Sequence, residues 1–326
     1  MTAEAGAGLP VVSVIVCARN ERENLPVLYE RLRRVMDEAQ TQWEWIVVDD
    51  HSSDGTFDWA ARQAESDGGI RAIRFSRHFG SHVARTCGLQ YSRGACAITL
   101  AADLQDPPEL IPQFLARWRE GVQVVSSVRS KRPGEKTSTV WFSGLYQAIL
   151  RRILPAEADT PVLTGYCLLD RRVVDAYCRL SESHSNSLAL IRWMGFRTGF
   201  VEYVQERRLH GASNWTLGMK VNLVLDTVTG FGYLPVRIIS VTGLGVIVLG
   251  IVAGVCAFVN ACSAASNRPF AVLLAVIFAL AGMQMLMLGL LGEYLWRTLA
   301  DARRRPQFLI EATAGLADPY SNPSTR

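Results

Sequence analysis

The sequence has no close pair of cysteines. Its seven cysteines stand singly, at positions 17, 87, 96, 167, 178, 256 and 262, which argues against a zinc ribbon or a disulfide framework. They read instead as small buried apolar residues in a reducing compartment. Strong charge of either sign is also missing, since 34 Lys and Arg against 30 Asp and Glu leave a net +4, too little to imply a nucleic-acid partner. No internal repeat or low-complexity tract is visible. Met1–Pro10 carries an acid and neither a basic residue nor a long apolar segment, so no cleavable signal peptide is expected.

Apolar residues are plentiful and unevenly spread. Roughly 230 residues precede the first long apolar run, ample for one α/β core. Ile238–Val259 and Phe270–Gly292 then each run without a charged side chain. At about 1.5 Å per residue either can cross a hydrocarbon layer roughly 30 Å thick as a helix. Arg237 precedes the first run and Arg297, Arg303, Arg304 and Arg305 follow the second, whereas only Arg268 lies between them. The positive-inside rule therefore predicts an inner (cytoplasmic) membrane protein with both termini and the N-terminal domain in the cytoplasm and the 260–269 turn outside. The basic run also favours anionic lipid headgroups.

From Val11 onward short β-branched runs alternate with helical stretches, the pattern of a mainly parallel sheet covered by helices. Strands are predicted at Val11–Cys17, Trp45–Val48, Ile70–Phe75, Ala95–Leu100 and Val122–Ser126, and helices at Glu23–Ala39, Phe57–Ser66, His82–Tyr91 and Leu110–Glu120. The outstanding polar residues follow strand C-termini: Asn20 and Glu21, Asp49 and Asp50, Arg77, then Asp103 and Gln105. That edge is where open α/β sheets bind ligands. Some of these residues have structural readings as well. Asn20 is placed to cap the next helix, and Asp106-Pro107-Pro108-Glu109 has the form of a capping box.

A basic patch of Arg129, Lys131, Arg132 and Lys136 leads into Val140–Leu154, where apolar residues recur at mostly helical spacing. Such a segment either lies in the membrane interface or covers the sheet. Trp215–Leu234, directly before the first apolar run, is the stronger interfacial candidate.

Asp103 and Gln105, two apart after a strand, suit an oxygen-liganded divalent ion, which needs one or two such side chains when phosphate oxygens complete the set. A lone Asp-x-Gln is weak evidence. Here it accompanies Val14-Ile15-Val16-Cys17-Ala18-Arg19-Asn20-Glu21, Val47-Val48-Asp49-Asp50-His51-Ser52-Ser53-Asp54-Gly55-Thr56, Arg77-His78-Phe79-Gly80 and Ala102-Asp103-Leu104-Gln105-Asp106-Pro107-Pro108-Glu109. Gly165-Tyr166-Cys167-Leu168-Leu169-Asp170-Arg171 and Arg208-Leu209-His210-Gly211-Ala212-Ser213 follow. With these motifs the chain resembles the polyprenyl-phosphate glycosyltransferases of the GT-A fold, in glycosyltransferase family 2, over about residues 11–235. Two following spans are typical of the bacterial branch.

The resemblance implies an α/β GT-A nucleotide-sugar-binding domain with a mainly parallel sheet, interfacial helices and two C-terminal transmembrane helices. Its parts are a tail at 1–10, a catalytic domain at 11–214, an interfacial linker at 215–235, a membrane hairpin at 236–296 and a cytoplasmic tail at 297–326. It implies inverting transfer of a sugar from a UDP- or GDP-linked donor to polyprenyl phosphate, undecaprenyl phosphate in a bacterium, with Mg2+ or Mn2+. Asn20, Glu21, Asp50 and Arg77 are expected at the nucleotide-sugar, and Asp103 and Gln105 at the metal and diphosphate. Arg208 and Ser213 match the loop that closes over the phosphates, and Arg129 and Arg132 the acceptor-phosphate site. Asp103, Gln105 and Arg208 thus form the catalytic set. Membrane lipids are the other expected partners, and a homo-oligomer is left open.

The chain departs from the pattern at several positions. Ala101 stands where many relatives carry an acid, as does Gly165, while Cys17 replaces a common proline, Ser81 stands near a frequent lysine and Asn214 replaces a lysine. Ala101, Ser81 and Asn214 leave room for a catalytically impaired membrane scaffold of the same fold. A processive polysaccharide synthase is disfavoured, because Ala189-Leu190-Ile191-Arg192-Trp193 lacks the glutamine of that group's Gln-x-x-Arg-Trp element and two spans are too few for a polymer channel. Glucose, N-acetylglucosamine, galactose, mannose and modified sugars all remain open.

Overall fold

The computed structural model describes residues 11–129, 161, 163–180, 187–206, 241–245, 248, 252, 268–303 and 305–316. They divide into two compact units, Met1–Lys220 with Pro306–Arg326, and Val221–Arg305.

In the first unit, β1 (Val12–Ala18), α1 (Asn24–Glu38), β2 (Trp43–Asp49), α2 (Thr56–Ser66), β3 (Ile70–Phe75), α3 (Ser81–Tyr91), β4 (Cys96–Ala101), α4 (Ile111–Arg119) and β5 (Val124–Arg129) follow the predicted alternation, with ends moved by at most three residues. Then come β6 (Cys167–Asp170), α5 (Arg171–Cys178), α6 (Ser187–Trp193) and β7 (Thr198–Tyr203). One eight-stranded sheet has the order β7-β5-β6-β4-β1-β2-β3-β8, where β8 is Ile310–Ala314. Strands β4, β1, β2 and β3 run parallel, and β6 lies antiparallel between β4 and β5.

Side chains alternate between the two faces of strands buried on both, which explains the layers. Val12, Val14 and Val16 of β1 join Trp45, Val47 and Ile98 in one core with Leu25, Leu28 and Leu32 of α1. Those leucines recur at helical spacing, and each is fully buried, contributing about 1.5–3 kcal/mol. Ile15 faces α3, where Gly88 has no Cβ to collide with its side chain.

Two differences from the sequence reading concern this unit. Asp106 and Glu109 form no capping box, because the 3-10 turn at Pro108–Leu110 has no side-chain cap. Tertiary partners take both acids: Asp106 accepts from the Tyr203 hydroxyl at 2.5 Å and Glu109 pairs with Arg31 at 2.6 Å. The stretch expected as a plain tail holds β8, antiparallel to β3. Phe308 stacks on Phe75 with centroids 5.3 Å apart, and the Ser76 N–H donates to the Leu309 carbonyl at 3.0 Å. The strand leaves through Gly315 at φ 71, where any Cβ would collide with the Ile70 carbonyl.

In the second unit, α7 (Arg268–Ala302) is 35 residues long and leaves Leu273, Ile277, Met285, Leu286, Leu288 and Leu291 exposed. Among the described residues no helix meets the length and apolarity of a membrane crossing. Most of 238–259 lies outside those residues, as do 140–154 and 215–234.

Candidate active site

Sheet order reverses direction at β1, whose chain continues to β2 on one side while β4 lies on the other. Such a switch point opens a crevice beyond the strand C-termini. The turn after β1 carries Asn20 and Glu21, and the loop after β4 carries Asp103 and Gln105. These are therefore neighbours by topology, as their positions after strands suggested.

The β1 and β2 turns are bonded to each other as well as to the first residues of their own helices. Asn20, at φ 57, donates its N–H to Ser52 Oγ at 2.9 Å and accepts the Ser53 N–H on Oδ1 at 3.0 Å. It does not cap α1, whose N-cap is Glu23. The Glu21 N–H donates to Thr56 Oγ1 at 3.0 Å, and Glu21 Oε2 accepts from Asn24 at 2.5 Å. Asp54 takes the Arg22 N–H at 3.1 Å and the Thr56 hydroxyl at 2.5 Å. Burial alone would raise its pKa, but bonds from Thr56 and Arg22 outweigh that and lower it.

Asp50 organises the next loop. Its carboxylate, 4 % exposed, accepts the Phe79 N–H at 2.7 Å, the Gly80 N–H at 2.9 Å and a contact from His78 Nδ1 at 2.6 Å. Arg77 is exposed, and its guanidinium lies 4.2 Å from the Phe79 ring centroid, a cation–π contact. Asp49 instead secures its own turn through the Ser52 N–H and hydroxyl. Burial is the largest influence on its pKa, which is raised.

At the end of β4, Leu104 is fully buried at φ 58, a left-handed backbone unusual for a bulky residue. This geometry brings the Gln105 N–H to Asp103 Oδ1 at 3.2 Å. The two proposed metal ligands thus share one tight turn, with Asp103 9 % exposed. Among the described residues no group of three or more His, Cys, Asp or Glu gathers there. One carboxylate and one amide still fit a hard cation that takes other oxygens from its substrate. Next door, burial raises the pKa of Asp106 against the opposing Tyr203 bond and Arg129 charge.

Of the predicted acceptor pair, Arg129 ends β5, exposed and near Asp106 and Tyr203. Arg132, Arg208 and Ser213 lie outside the described residues. The approach toward Arg208 is anchored, since the Glu206 N–H donates to the Gln105 carbonyl at 3.0 Å and Glu206 pairs with Arg31 at 2.9 Å. Arg31 thereby joins Glu109 and Glu206, a bridge that sequence reasoning missed. Nothing in the sequence sets Arg31 apart from Arg33 and Arg34 on the same helix.

Three of the family departures form a row. Cys17 and Ala101 are register partners in β1 and β4. Gly165 stands two residues before Cys167, the partner of Thr99 across the antiparallel β4 and β6, and its carbonyl accepts from the Thr99 hydroxyl at 2.8 Å. Three small residues therefore stand near the ends of β1, β4 and β6.

Comparison with known proteins supports this architecture. The sequence model of glycosyl transferase family 2 matches residues 13–177. An undecaprenyl-phosphate 4-deoxy-4-formamido-L-arabinose transferase of Pseudomonas aeruginosa (strain LESB58) is 33% identical over 97% of this chain and 94% of its own. The uncharacterized glycosyltransferase YkcC of Bacillus subtilis (strain 168) is 32% identical over 93% of this chain and 94% of its own. Glucosyl-3-phosphoglycerate synthase from Mycobacterium tuberculosis shares the fold, at a TM-score of 0.51 and 19% identity over 68% of this chain and 80% of that one. The sheet that gathers these loops at one edge is thus of the GT-A-like α/β fold, and the chain belongs to glycosyl transferase family 2.

Proposed function

We propose that this glycosyltransferase moves a sugar, with inversion, from a UDP- or GDP-linked donor to a polyprenyl phosphate at the cytoplasmic face of a membrane. The observation that carries the reading is the Asp103-Leu104-Gln105 turn at the β1/β4 switch point, with the Asn20 and Asp50 loops bonded around the same edge. The Pseudomonas relative, alike along nearly the whole chain, is named for transfer to undecaprenyl phosphate. That favours the same carrier here.

In this reading Asn20, Glu21, Asp50 and Arg77 frame the nucleotide. Asp50 does so by holding the amides of Phe79 and Gly80 in place. Asp103 and Gln105 would hold Mg2+ or Mn2+, which when bound offsets charge on the departing diphosphate. Arg208 and Ser213 close over the same phosphates, and Arg129 with Arg132 receives the acceptor phosphate as charge-assisted donors. No general base is required, because a phosphate monoester with a second pKa of about 6 is already an anionic nucleophile at neutral pH. Alignment and charge neutralisation then carry the rate. The spans at 238–259 and 270–292, flanked by arginines on one side, would keep the domain beside its lipid substrate.

The test is to incubate the purified full chain with undecaprenyl phosphate, Mg2+ or Mn2+ and a panel of UDP- and GDP-sugars, measuring product mass. A lipid monophosphate sugar from one donor is expected. Hydrolysis alone, or transfer only to other acceptors, would reject the acceptor assignment.

A further inference from the structure

Among the described residues three guanidinium groups are buried, of Arg71, Arg85 and Arg192; Arg71 pairs with Glu44, and the turns described above have no use for Arg85. Arg85, in the second turn of α3, is 8 % exposed. Its Nη1 donates to Ser187 Oγ at 2.9 Å and lies 3.5 Å from His82 Nδ1. Neither partner balances its charge: Ser187 is neutral, and His82 is held near 3 by burial first and by Arg85 second, so it is uncharged at physiological pH. Among the described residues no carboxylate forms an ion pair with Arg85. Its Nε is buried without a hydrogen-bond acceptor.

The remaining Nη2 points toward the row of small residues, for a Cβ on Gly165 would stand only 2.9 Å from it. At the other end of the row, the Cys17 thiol is pushed up to about 11 by burial, with the charge of Arg85 opposing and that of Asp50 adding. Cys17, Ala101 and Gly165 are each partly exposed. The guanidinium therefore lies beside a partly exposed row of small residues at the switch point.

A buried cation is costly unless an anion and good hydrogen bonds accompany it. Guanidinium suits a planar or tetrahedral oxyanion, which two of its N–H groups can grip together. We propose that Arg85, beside Cys17, Ala101 and Gly165, binds an oxyanion of the sugar-nucleotide donor. Two groups on a donor have that chemistry, the diphosphate and a carboxylate on the sugar. The acceptor phosphate is the less favoured source, because Arg85 adjoins the β1 edge that carries the nucleotide turns, whereas Arg129 stands across β6 at the end of β5. The assignment rests on the donor reading given above.

The experiment uses the full chain in detergent, wild type against Arg85→Lys, Arg85→Gln and Gly165→Ala. The last keeps the charge but crowds Nη2, and serves if the Arg85 variants do not fold. Calorimetric titrations with UDP, GDP, UDP-glucose, GDP-mannose and UDP-glucuronate are paired with undecaprenyl-phosphate titrations and thermal unfolding. Loss of one charge-assisted contact should weaken donor binding by roughly ten- to a hundredfold. Loss on UDP or GDP themselves assigns the diphosphate, and loss confined to UDP-glucuronate assigns a sugar carboxylate. Donor affinities all within about threefold of wild type, or a change confined to undecaprenyl phosphate, would overturn the proposal even if stability fell. Failure of the wild-type chain to bind any nucleotide would instead remove the donor reading, and this assignment with it.

Discussion

Replacing Asp50 by asparagine keeps the side chain's shape and removes its charge. The carboxylate now takes donors from Phe79, Gly80 and His78 at 2.7, 2.9 and 2.6 Å. An amide offers a single oxygen, so it keeps one of these bonds while its NH2 faces another donor. Hydrogen bonds to a charged group are worth about 1.5–3 kcal/mol each, and bonds sharing one carboxylate do not add. A net loss of about 3 kcal/mol for the set corresponds to roughly a hundredfold change in the population of the ordered loop. If that loop frames the nucleotide, the apparent Kd rises as the competent fraction falls. Asp50→Asn should therefore weaken UDP or GDP binding by about ten- to a hundredfold, with a smaller change in Tm because the core is untouched. Calorimetric titration of wild type and variant decides the matter. A Kd within twofold of wild type would refute the idea that Asp50 serves the donor through this loop.

Asp103→Asn should lower turnover by at least about a hundredfold and alter its metal dependence, measured by product mass across a Mg2+ and Mn2+ titration. His82 has a folded pKa near 3 against an ordinary 6.5, so the unfolded chain binds the proton first as pH falls. Stability should decline progressively from about pH 6.5 downward, and His82→Gln should flatten that decline in Tm measured against pH. Gly315→Ala forces a side chain at φ 71 against the Ile70 carbonyl; a cost of about 1–3 kcal/mol should lower Tm and speed amide exchange in β3.

The first five strands were legible because each is a β-branched run bounded by turn residues, and burial on both faces requires that composition. The later strands were not. β6 has only four residues, β7 contains Gly199, and β8 reads as Ile-Glu-Ala-Thr-Ala after a basic run. Each is fixed by pairing with a distant strand rather than by local propensity. The same competition explains Asp106 and Glu109, whose spacing suits a cap while Tyr203 and Arg31 offer bonds that only the folded chain supplies. Asn20, Asp50, Asp103 and Gln105 stand out in the sequence through their places after strands. Arg85 was hidden because nothing in a helical stretch reveals that an arginine is buried without a counter-ion.

The last strand also sets a rule of parity. Glu206 is tied to the Asp103–Gln105 turn and Ile310 opens β8 in the same sheet, so the long segment between them leaves and returns to one compact unit. A sheet cannot straddle a bilayer, because its polar backbone edges would be unsatisfied in lipid. Whatever crossings that segment makes must therefore be even in number. Losing or adding one would carry the chain's end to the far side of the membrane, leave β3 as an open edge and remove Glu311, 3.1 Å from Arg74, from the neighbourhood of the Asp49 turn. If the segment crosses a membrane as proposed, its topology and the completeness of the sheet are in this way one constraint.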